Sequence, residues 1–374
     1  MTEQTIPSER VRDLASAPRR LPIEIEGSVT CEIVLTVWSI FNPKESNSVF
    51  DLGPEWRDEM ASLIPEHLAE EIEVLGGPHA YAWLGISCLL LAAPHPHDPD
   101  RAFEWLATVG EKRLRRWLLG YSSQEEDQAL IEQAAEGDVD AALQLVGEWA
   151  EKKPGLTDFL EMLVTTEGLP SRYATALMRF RSEAFAGSEE DHAAAISRAA
   201  AARRATPVRG DAKEIVEEVT SGIDFEIPLG ITRVVLVPSV VIRPLSMIDG
   251  HRGTLVVYYG IADEFINSDP EAPPSWLVRT YKALSDDKRL RILRRVSEGG
   301  ATLDELTEML GIAKSTVHHH VSLLRGAGLL RVHLPDDESK GKQRRYTLRE
   351  ASLGDAAGFL DSYLRHEVEE QAHA

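Results

Sequence analysis

The stretch "TLDELTEMLGIAKSTVHHHVSLLRGAGLL", residues 302–330, predicts two short helices joined by a tight turn. Thr302 is followed three residues later by Glu305, which is the spacing of a capping box at a helix start. Gly311 ends the first helix, since glycine readily adopts the left-handed conformation found there. A second run with helical periodicity follows the turn. This pattern is typical of a helix-turn-helix, whose second helix enters the major groove of DNA.

The consecutive histidines His318 to His320 suggest a metal site, but helix geometry argues against one. Successive residues lie about 100° apart around a helix, so the three imidazoles fan out over about 200°. They cannot all bind one ion within a single chain. Val317, Val321 and Leu324 form the face that is predicted to be packed, and His320 falls at its edge.

The other side of the same helix carries short polar side chains beside a cation. Such groups suit base edges and phosphate oxygens. The predicted groove contacts are Lys314, Ser315, Thr316, His318, His319 and Ser322, and Arg325 is predicted to meet a phosphate.

A basic hairpin is predicted directly after this helix. "GLLRVHL" (328–334) and "KQRRYTLR" (342–349) alternate apolar and polar residues, and "PDDESKG" (335–341) joins them. A hairpin placed there is the wing of a winged helix, which meets the DNA backbone or minor groove. The predicted wing contacts are Lys340, Lys342, Arg344 and Arg345, although three acidic residues at 336–338 weaken this positive charge.

The segment from about Ser275 to Leu364 resembles the ArsR family of bacterial winged-helix regulators. The residues that carry the resemblance are "LSDDKRLRILRRV" (284–296), residues 302–330 quoted above and the wing "KQRRYTL" (342–348). The resemblance covers about a quarter of the chain. It implies a homodimer that binds an operator in double-stranded DNA and releases it when a signal arrives. It also makes "LGDAAGFLDSYLRH" (353–366) the last helix, with a stripe for a second subunit formed by Leu353, Ala357, Leu360 and Leu364.

The sequence departs from the metal-sensing relatives in this family. Where they carry Cys-x-Cys, this chain has Thr302 and Asp304, and no cysteine follows Cys88. His366, Glu367 and Glu370 have donor atoms for an ion, but alanine and glycine surround Asp355, where further ligands would be needed. We therefore expect no metal site and no cofactor.

The charge of the chain is unevenly distributed. The net charge is −21, yet residues 275–349 contain 15 Lys and Arg against 9 Asp and Glu, which leaves −27 on the remainder. An acidic body joined to a basic segment is expected where only one domain meets a polyanion. The most apolar stretch, "YAWLGISCLLLAA" (81–93), is too short to cross a bilayer, and no signal peptide is recognisable. We therefore expect a cytoplasmic protein without a membrane partner.

The predicted fold class is α+β, predominantly α. We expect a tail over residues 1–20, an N-terminal sensor or partner domain over 21–267, a linker over 268–274 and a winged helix-turn-helix over 275–367. Ser28 is predicted to cap a helix "VTCEIVLTVWSIF" (29–41). "TRVVLVPSVVIRP" (232–244) and "GTLVVYYG" (253–260) are predicted to be paired strands, with Asp249 and Gly250 in the turn between them.

The N-terminal region leaves several alternatives open. It resembles, more loosely, an uncharacterised domain fused ahead of such winged helices in actinobacterial-type regulators, through "VVLVPSVVIRP" (234–244) and "LVVYYG" (255–260). We expect an effector, a small molecule or a protein, to be sensed there. Arg233, Arg243, His251 and Arg252 are a weaker candidate for receiving an anionic ligand. An enzyme fused to a regulator is a further alternative, without a supporting motif, and so is an interaction scaffold whose winged helix only dimerises.

Overall fold

The computed structural model describes residues 21–42, 50–120, 125–147, 153–207, 210–228, 230–251, 253–266, 272–335 and 343–365. Within these ranges helices predominate and the strands form two four-stranded sheets, which confirms the predicted α+β class. No described helix combines the length and the apolar character that crossing a membrane requires. We refer to residues 21–266 as the N-terminal body and to residues 275–365 as the winged helix.

The N-terminal body is mainly helical. Its α-helices in the described ranges are α1 Val29–Phe41, α2 Gly53–Ser62, α3 Glu66–Gly76, α4 Tyr81–Leu90, α5 Pro99–Ala107, α6 Glu111–Leu118, α7 Glu125–Ala135, α8 Val139–Val146, α9 Leu156–Thr165, α10 Leu169–Phe180, α11 Ala186–Ala205 and α12 Ala212–Val219. A π-helical turn, Arg181–Phe185, separates α10 from α11. Its strands are β1 Ile23–Ile25, β2 Ile223–Asp224, β3 Arg233–Ser239, β4 Ser246–His251 and β5 Thr254–Gly260.

Helix α1 is the centre of the body. Ser28 caps it by accepting a hydrogen bond from the Thr30 amide, as predicted, and residues 30–40 are buried. Burial includes the carboxylate of Glu32, which accepts bonds from the Val240 and Val241 amides at 3.0 Å each and from Ser239 Oγ at 2.6 Å. His192 Nδ1 lies 3.0 Å from the same carboxylate. Since these donors occupy both carboxylate oxygens, the buried charge joins α1 to the chain that follows β3.

The first sheet corrects one prediction. Its order is β1-β3-β5-β4, with β3 parallel to both β1 and β5. The segment predicted to be a turn around Asp249 and Gly250 is instead strand β4, which is antiparallel to β5. The chain reverses after His251, where Gly253 has φ +83°. An Asp-Gly pair favours a turn locally, but here the ladder to β5 decides the conformation.

The winged helix has the predicted order of elements. They are α13 Ser275–Leu284, α14 Asp287–Ser297, β6 Ala301–Thr302, α15 Leu303–Leu310, α16 Lys314–Gly326, β7 Leu330–His333, β8 Arg345–Leu348 and α17 Glu350–Leu364. Thr302 and Glu305 form the predicted capping box, and Gly311 ends α15 with φ +64°. A separate apolar core holds these elements together and includes Ile292, Leu306 and Val317.

The second sheet joins the two regions of the chain. Its order is β2-β7-β8-β6, so a strand of the N-terminal body extends the sheet of the winged helix. Strand β2 is parallel to β7, with Val332 N donating to Gly222 O at 2.7 Å and Leu334 N donating to Asp224 O at 2.9 Å. Arg331 Nη2 lies 2.5 Å from Glu217 Oε1 beside this pairing. The winged helix is therefore held against the body by backbone as well as by charge.

Ion pairs make a second connection at the start of α13. Asp263 accepts a bond from the Ser275 amide at 2.6 Å and pairs with Arg243. Asp51 Oδ2 lies 2.5 Å from Arg279 Nη1 and 3.3 Å from Arg243 Nη2. These groups bring the residues on either side of the predicted linker together at one junction.

Candidate nucleic-acid interface

The first half of α16 presents a polar surface. Lys314, Ser315, Thr316 and His319 are exposed, and His318 is half-buried. Val317 points the other way and is fully buried, in the same core as Leu306 of α15. The turn between α15 and α16 and the buried valine thus fix the direction of the exposed side chains.

Asp304 links this surface to the wing. Lys314 Nζ lies 2.5 Å from Asp304 Oδ1, and Gln343 Nε2 donates to Asp304 Oδ2 at 2.6 Å. The bond from Lys314 and the one from Gln343 hold the pKa of this carboxyl below its ordinary value. The carboxylate therefore stays charged and orients Lys314, and a phosphate has to compete with it for the ammonium group.

Ser322 was predicted to contact the DNA groove, but it is buried. It is only 8% exposed, and its neighbours His320 and Val321 are buried as well. Three consecutive residues span about 200° of a helix, so the middle of α16 is covered on most of its circumference. The helical wheel placed Ser322 on the side opposite the packed face. The direction of a side chain on the wheel, however, does not show how deeply that turn of the helix is buried.

His320 is buried at the edge of the packed face, as predicted. Neither ring nitrogen has a hydrogen-bond partner among the described residues, and Asp286 Oδ1 is 4.0 Å from Nδ1. Burial lowers the pKa of this imidazole, and the charge of Asp286 offsets the decrease only in part. His320 is therefore a neutral packing residue, and the three histidines do not form one site.

Arg325 does not lie where a phosphate contact was predicted. It is half-buried and lines a narrow gap together with Thr220, Leu245 and Ser246 of the N-terminal body. Burial lowers the pKa of its guanidinium. The second half of α16 runs under the body, so Arg325 faces a protein surface, which the sequence of this segment alone does not reveal.

The wing is present as a short antiparallel pair. β7 pairs with β8, with Val332 opposite Tyr346 and His333 opposite Arg345. Arg344 and Arg345 are exposed, and Arg345 Nη2 donates to the carbonyls of Gly299 and Gly300 at 3.1 Å each. The predicted contacts Lys340 and Lys342 lie outside the described residues and stay predictions.

The last helix packs on α13 with one face. Phe359 contacts Trp276 edge-to-face with ring centroids 4.6 Å apart, and Tyr281 Oη donates to Ala356 O at 3.3 Å. On the predicted dimer stripe, Leu353 and Leu360 are half-buried, Ala357 is exposed and Leu364 is 68% exposed. His366, Glu367 and Glu370 lie outside the described residues. Among the residues that the structure describes, no group of three potential metal-binding side chains occurs.

The three described residues among the four suggested for an anion in the body are engaged with different partners. Arg233 pairs with Glu24 at 3.0 Å, whereas Arg243 is bound to the carboxylates at the junction with α13. His251 stacks on Trp117 with a centroid distance of 3.8 Å. Arg252 lies outside the described residues.

Comparisons with known proteins find matches to the winged-helix part of the chain. A family model described as a helix-turn-helix domain matches residues 284–333, which contain α15 and α16. The chain is 37% identical over 90 residues to the HTH-type transcriptional regulator CmtR of Mycobacterium tuberculosis, covering 24% of this chain and 72% of the relative. It is 27% identical over 84 residues to the transcriptional repressor SdpR of Bacillus subtilis, covering 22% of this chain and 88% of the relative. A crystal structure of an ArsR family transcriptional regulator matches at 23% identity over 26% of this chain and 95% of that chain, with a TM-score of 0.22.

Proposed function

Because the chain belongs to the ArsR family of helix-turn-helix transcriptional regulators, we propose that it recognises a specific operator through the first half of α16. The observation that supports this is the exposure of Ser315, Thr316 and His319 beside Lys314 on a helix anchored from behind by Val317. Short donors and acceptors at the start of a recognition helix match the way such helices read base edges. His318 contributes from the margin of this surface.

The wing supplies the contacts that do not depend on base sequence. Arg344 is exposed directly before strand β8 and reaches a phosphate beside the groove, with Lys340 and Lys342 on the preceding segment. Arg345 has a double role in this proposal. Its two bonds to Gly299 and Gly300 carbonyls hold the wing on the helical part, and its exposed edge adds positive charge.

The acidic remainder of the chain limits binding to this end. The residues outside 275–349 carry a net charge of −27 and repel a duplex, so contact is restricted to the basic winged helix. Operator affinity should accordingly fall steeply with salt, since each neutralised phosphate releases counterions.

A second copy of the chain completes the regulator by packing against α17. Phe359 and Ala356 face α13, whereas Ala357 and Leu364 are exposed and Leu360 is half-buried between these two sides. A partly exposed apolar stripe on a helix is suited to an isologous helix–helix contact. The N-terminal body senses the effector, and the sheet that it shares with the wing transmits the change.

The test is a binding titration of the full-length protein with DNA from the region upstream of its own gene. We expect this duplex to bind about 10³-fold more tightly than a shuffled duplex of the same composition. The variant Ser315→Ala, Thr316→Ala, His319→Ala should lose most of that ratio, because each lost base contact costs about 1–3 kcal/mol.

The control is Ser62→Ala with Thr165→Ala, which removes two exposed hydroxyls from the body. It should bind both duplexes as the original chain does. If the upstream and shuffled duplexes bind equally well, sequence-specific recognition is excluded and the interaction-scaffold alternative is favoured.

A further inference from the structure

A cleft lies between the N-terminal body and the winged helix. It has a volume of about 350 Å³, with Phe50, Asp51 and Pro244 on the body side. Arg279 and Lys282 of α13 line the opposite wall. Leu323 and Gly326, at the end of the recognition helix α16, close it. This volume lies in the range of small-molecule sites, and the wall is shared by both halves of the protein.

The cleft carries more positive than negative charge. Arg279, Lys282 and Arg289 line it, against the single carboxylate of Asp51. That carboxylate is already engaged, since it lies 2.5 Å from Arg279 Nη1 and 3.3 Å from Arg243 Nη2. Arg289 is fixed by two bonds of 2.7 Å to the carbonyls of Lys282 and Ala283. The resulting local field favours an anion.

Arg279 and Lys282 differ in how far their donors are used. Arg279 Nε is buried and has no hydrogen-bond partner among the described residues. An unsatisfied buried donor of a charged group is costly, and such groups are usually paired in folded proteins. The Lys282 side chain is exposed, and no described carboxylate lies within ion-pair distance of its ammonium group. The Lys282 ammonium group is therefore available to a ligand in the cleft, and Arg279 adds positive charge beside it.

The remainder of the wall is apolar. Phe50 and Pro244 face the cleft from the body and Leu323 faces it from α16, and all three are half-buried. An inorganic ion would leave these side chains uncovered, whereas a molecule with an apolar part would bury them. Removing this apolar area from water favours the binding of such a molecule.

We propose that this cleft binds a small organic anion. Its carboxylate or phosphate group contacts Arg279 and Lys282, and its apolar or aromatic part packs on Phe50, Pro244 and Leu323. The inference rests on the proposed function, because it gives the effector of the regulator a place and a chemical class. A ligand held there touches the last turn of α16 and the body at once, so its binding depends on how the two are arranged.

The experiment uses the full-length chain and calorimetric titration with four probes. Phenyl phosphate and benzoate carry both a charge and an apolar ring, inorganic phosphate carries only the charge, and benzyl alcohol carries only the ring. We expect the two amphipathic anions to bind at least tenfold more tightly than the other two probes. Equal affinities for phenyl phosphate and inorganic phosphate, or no binding of either amphipathic anion, would overturn the proposal.

The variant Lys282→Ala tests the position of the site. It should weaken phenyl phosphate binding at least fivefold, while the control Lys112→Ala, at an exposed lysine of the body, should leave it unchanged. Equal weakening in both variants, or none in Lys282→Ala, would contradict the assignment. Lys282→Ala should also retain the operator affinity of the original chain in the absence of a ligand.

Coupling to DNA is measured separately. Saturating phenyl phosphate should change the operator affinity of the original chain at least fivefold and should have a smaller effect on Lys282→Ala. Binding without any change in operator affinity would refute the regulatory role of the cleft. Loss of operator recognition in the absence of any probe would instead refute the proposed function, so the two failures are distinguishable.

Discussion

His333 Nδ1 lies 2.8 Å from Asp224 Oδ2, across the boundary between the wing and the N-terminal body. The other ring nitrogen lies 2.8 Å from Thr347 Oγ1 on the neighbouring strand, and Lys213 Nζ lies 3.0 Å from the same Asp224 carboxylate. Burial acts to raise the pKa of Asp224, but its bonds with Lys213 and His333 outweigh this effect, so the pKa lies below its ordinary value. A charged residue of the body is thus built into the sheet of the DNA-binding region.

Replacing Gly222 should weaken this junction. Gly222 has φ +115°, and an added Cβ would lie 2.8 Å from Arg349 Cδ and 3.0 Å from Leu330 O. Strain of the backbone and overpacking together predict that Gly222→Ala lowers the free energy of unfolding by about 2–4 kcal/mol. The amide of Val332, which donates to Gly222 O, should exchange faster with solvent in a hydrogen-exchange measurement.

Gly354→Ala is the matched control for this change. Gly354 lies in α17, and an added Cβ would meet no atom within 4 Å. It should be neutral or stabilise the helix by about 0.5–1 kcal/mol. Unchanged exchange of Val332 in Gly222→Ala would show that the pairing of β2 with β7 tolerates a side chain.

Glu32→Gln should destabilise the N-terminal body. The amide nitrogen introduced by glutamine would face one of the backbone or side-chain donors that now bind the carboxylate, and the negative charge would be lost. We expect a decrease of about 3 kcal/mol in the free energy of unfolding, measured by urea denaturation. Glu190→Gln, at an exposed position of α11, should change it by less than about 0.5 kcal/mol. Similar values for the two variants would contradict the assigned role of Glu32.

The winged helix should become less stable as the pH falls below about 6.5. Burial lowers the pKa of His320 in the folded chain, so the unfolded chain binds the proton more readily. Unfolding then takes up protons. The free energy of unfolding therefore decreases as the pH falls through the interval between the unfolded-state and folded-state pKa values of His320. Hydrogen exchange of peptides from α16 at pH 7.5 and at pH 5.5 measures the effect.

His320→Gln should reduce this pH dependence because glutamine does not titrate. His97→Gln, at a 62% exposed histidine of the body, should leave it unchanged. The interpretation fails if α16 in His320→Gln keeps the full pH dependence of the original chain.

Arg344→Ala should weaken the binding of all duplexes by a similar factor. If Arg344 neutralises one phosphate, the slope of the logarithm of affinity against the logarithm of salt concentration should become shallower by about 0.9. Fluorescence anisotropy titrations between about 50 and 200 mM salt give this slope. Arg179→Ala, which removes an arginine paired with Glu183 in the body, should not alter it. An unchanged slope in Arg344→Ala would remove this residue from the interface.

The elements of the winged helix were predictable because their signals are local. The capping box of Thr302 and Glu305, the glycine after α15 and the spacing of Val317, Val321 and Leu324 each act within a few residues. The same holds for Ser28 at the start of α1. Helix starts and stops depend on neighbouring side chains, so they can be recognised without knowing what the helix packs against.

The errors have a common physical origin in contacts between distant segments. Ser322 and Arg325 were assigned to the DNA surface from their direction on α16, and the cover over the second half of the helix decides otherwise. Strand β2 comprises only Ile223 and Asp224, and it exists because β7, more than a hundred residues away, offers its edge. A two-residue strand has no periodicity to detect.

The sequence by itself determined the helix-turn-helix, its caps and the polar character of the start of α16, since these follow from side chains close together in the chain. Only the tertiary structure decided which of those polar residues remain exposed and that the body shares a sheet with the wing. It also brought cations of α13 and apolar side chains of the body to opposite walls of one cleft. Burial and pairing across long separations depend on the packing of whole elements, and local pattern does not contain that information.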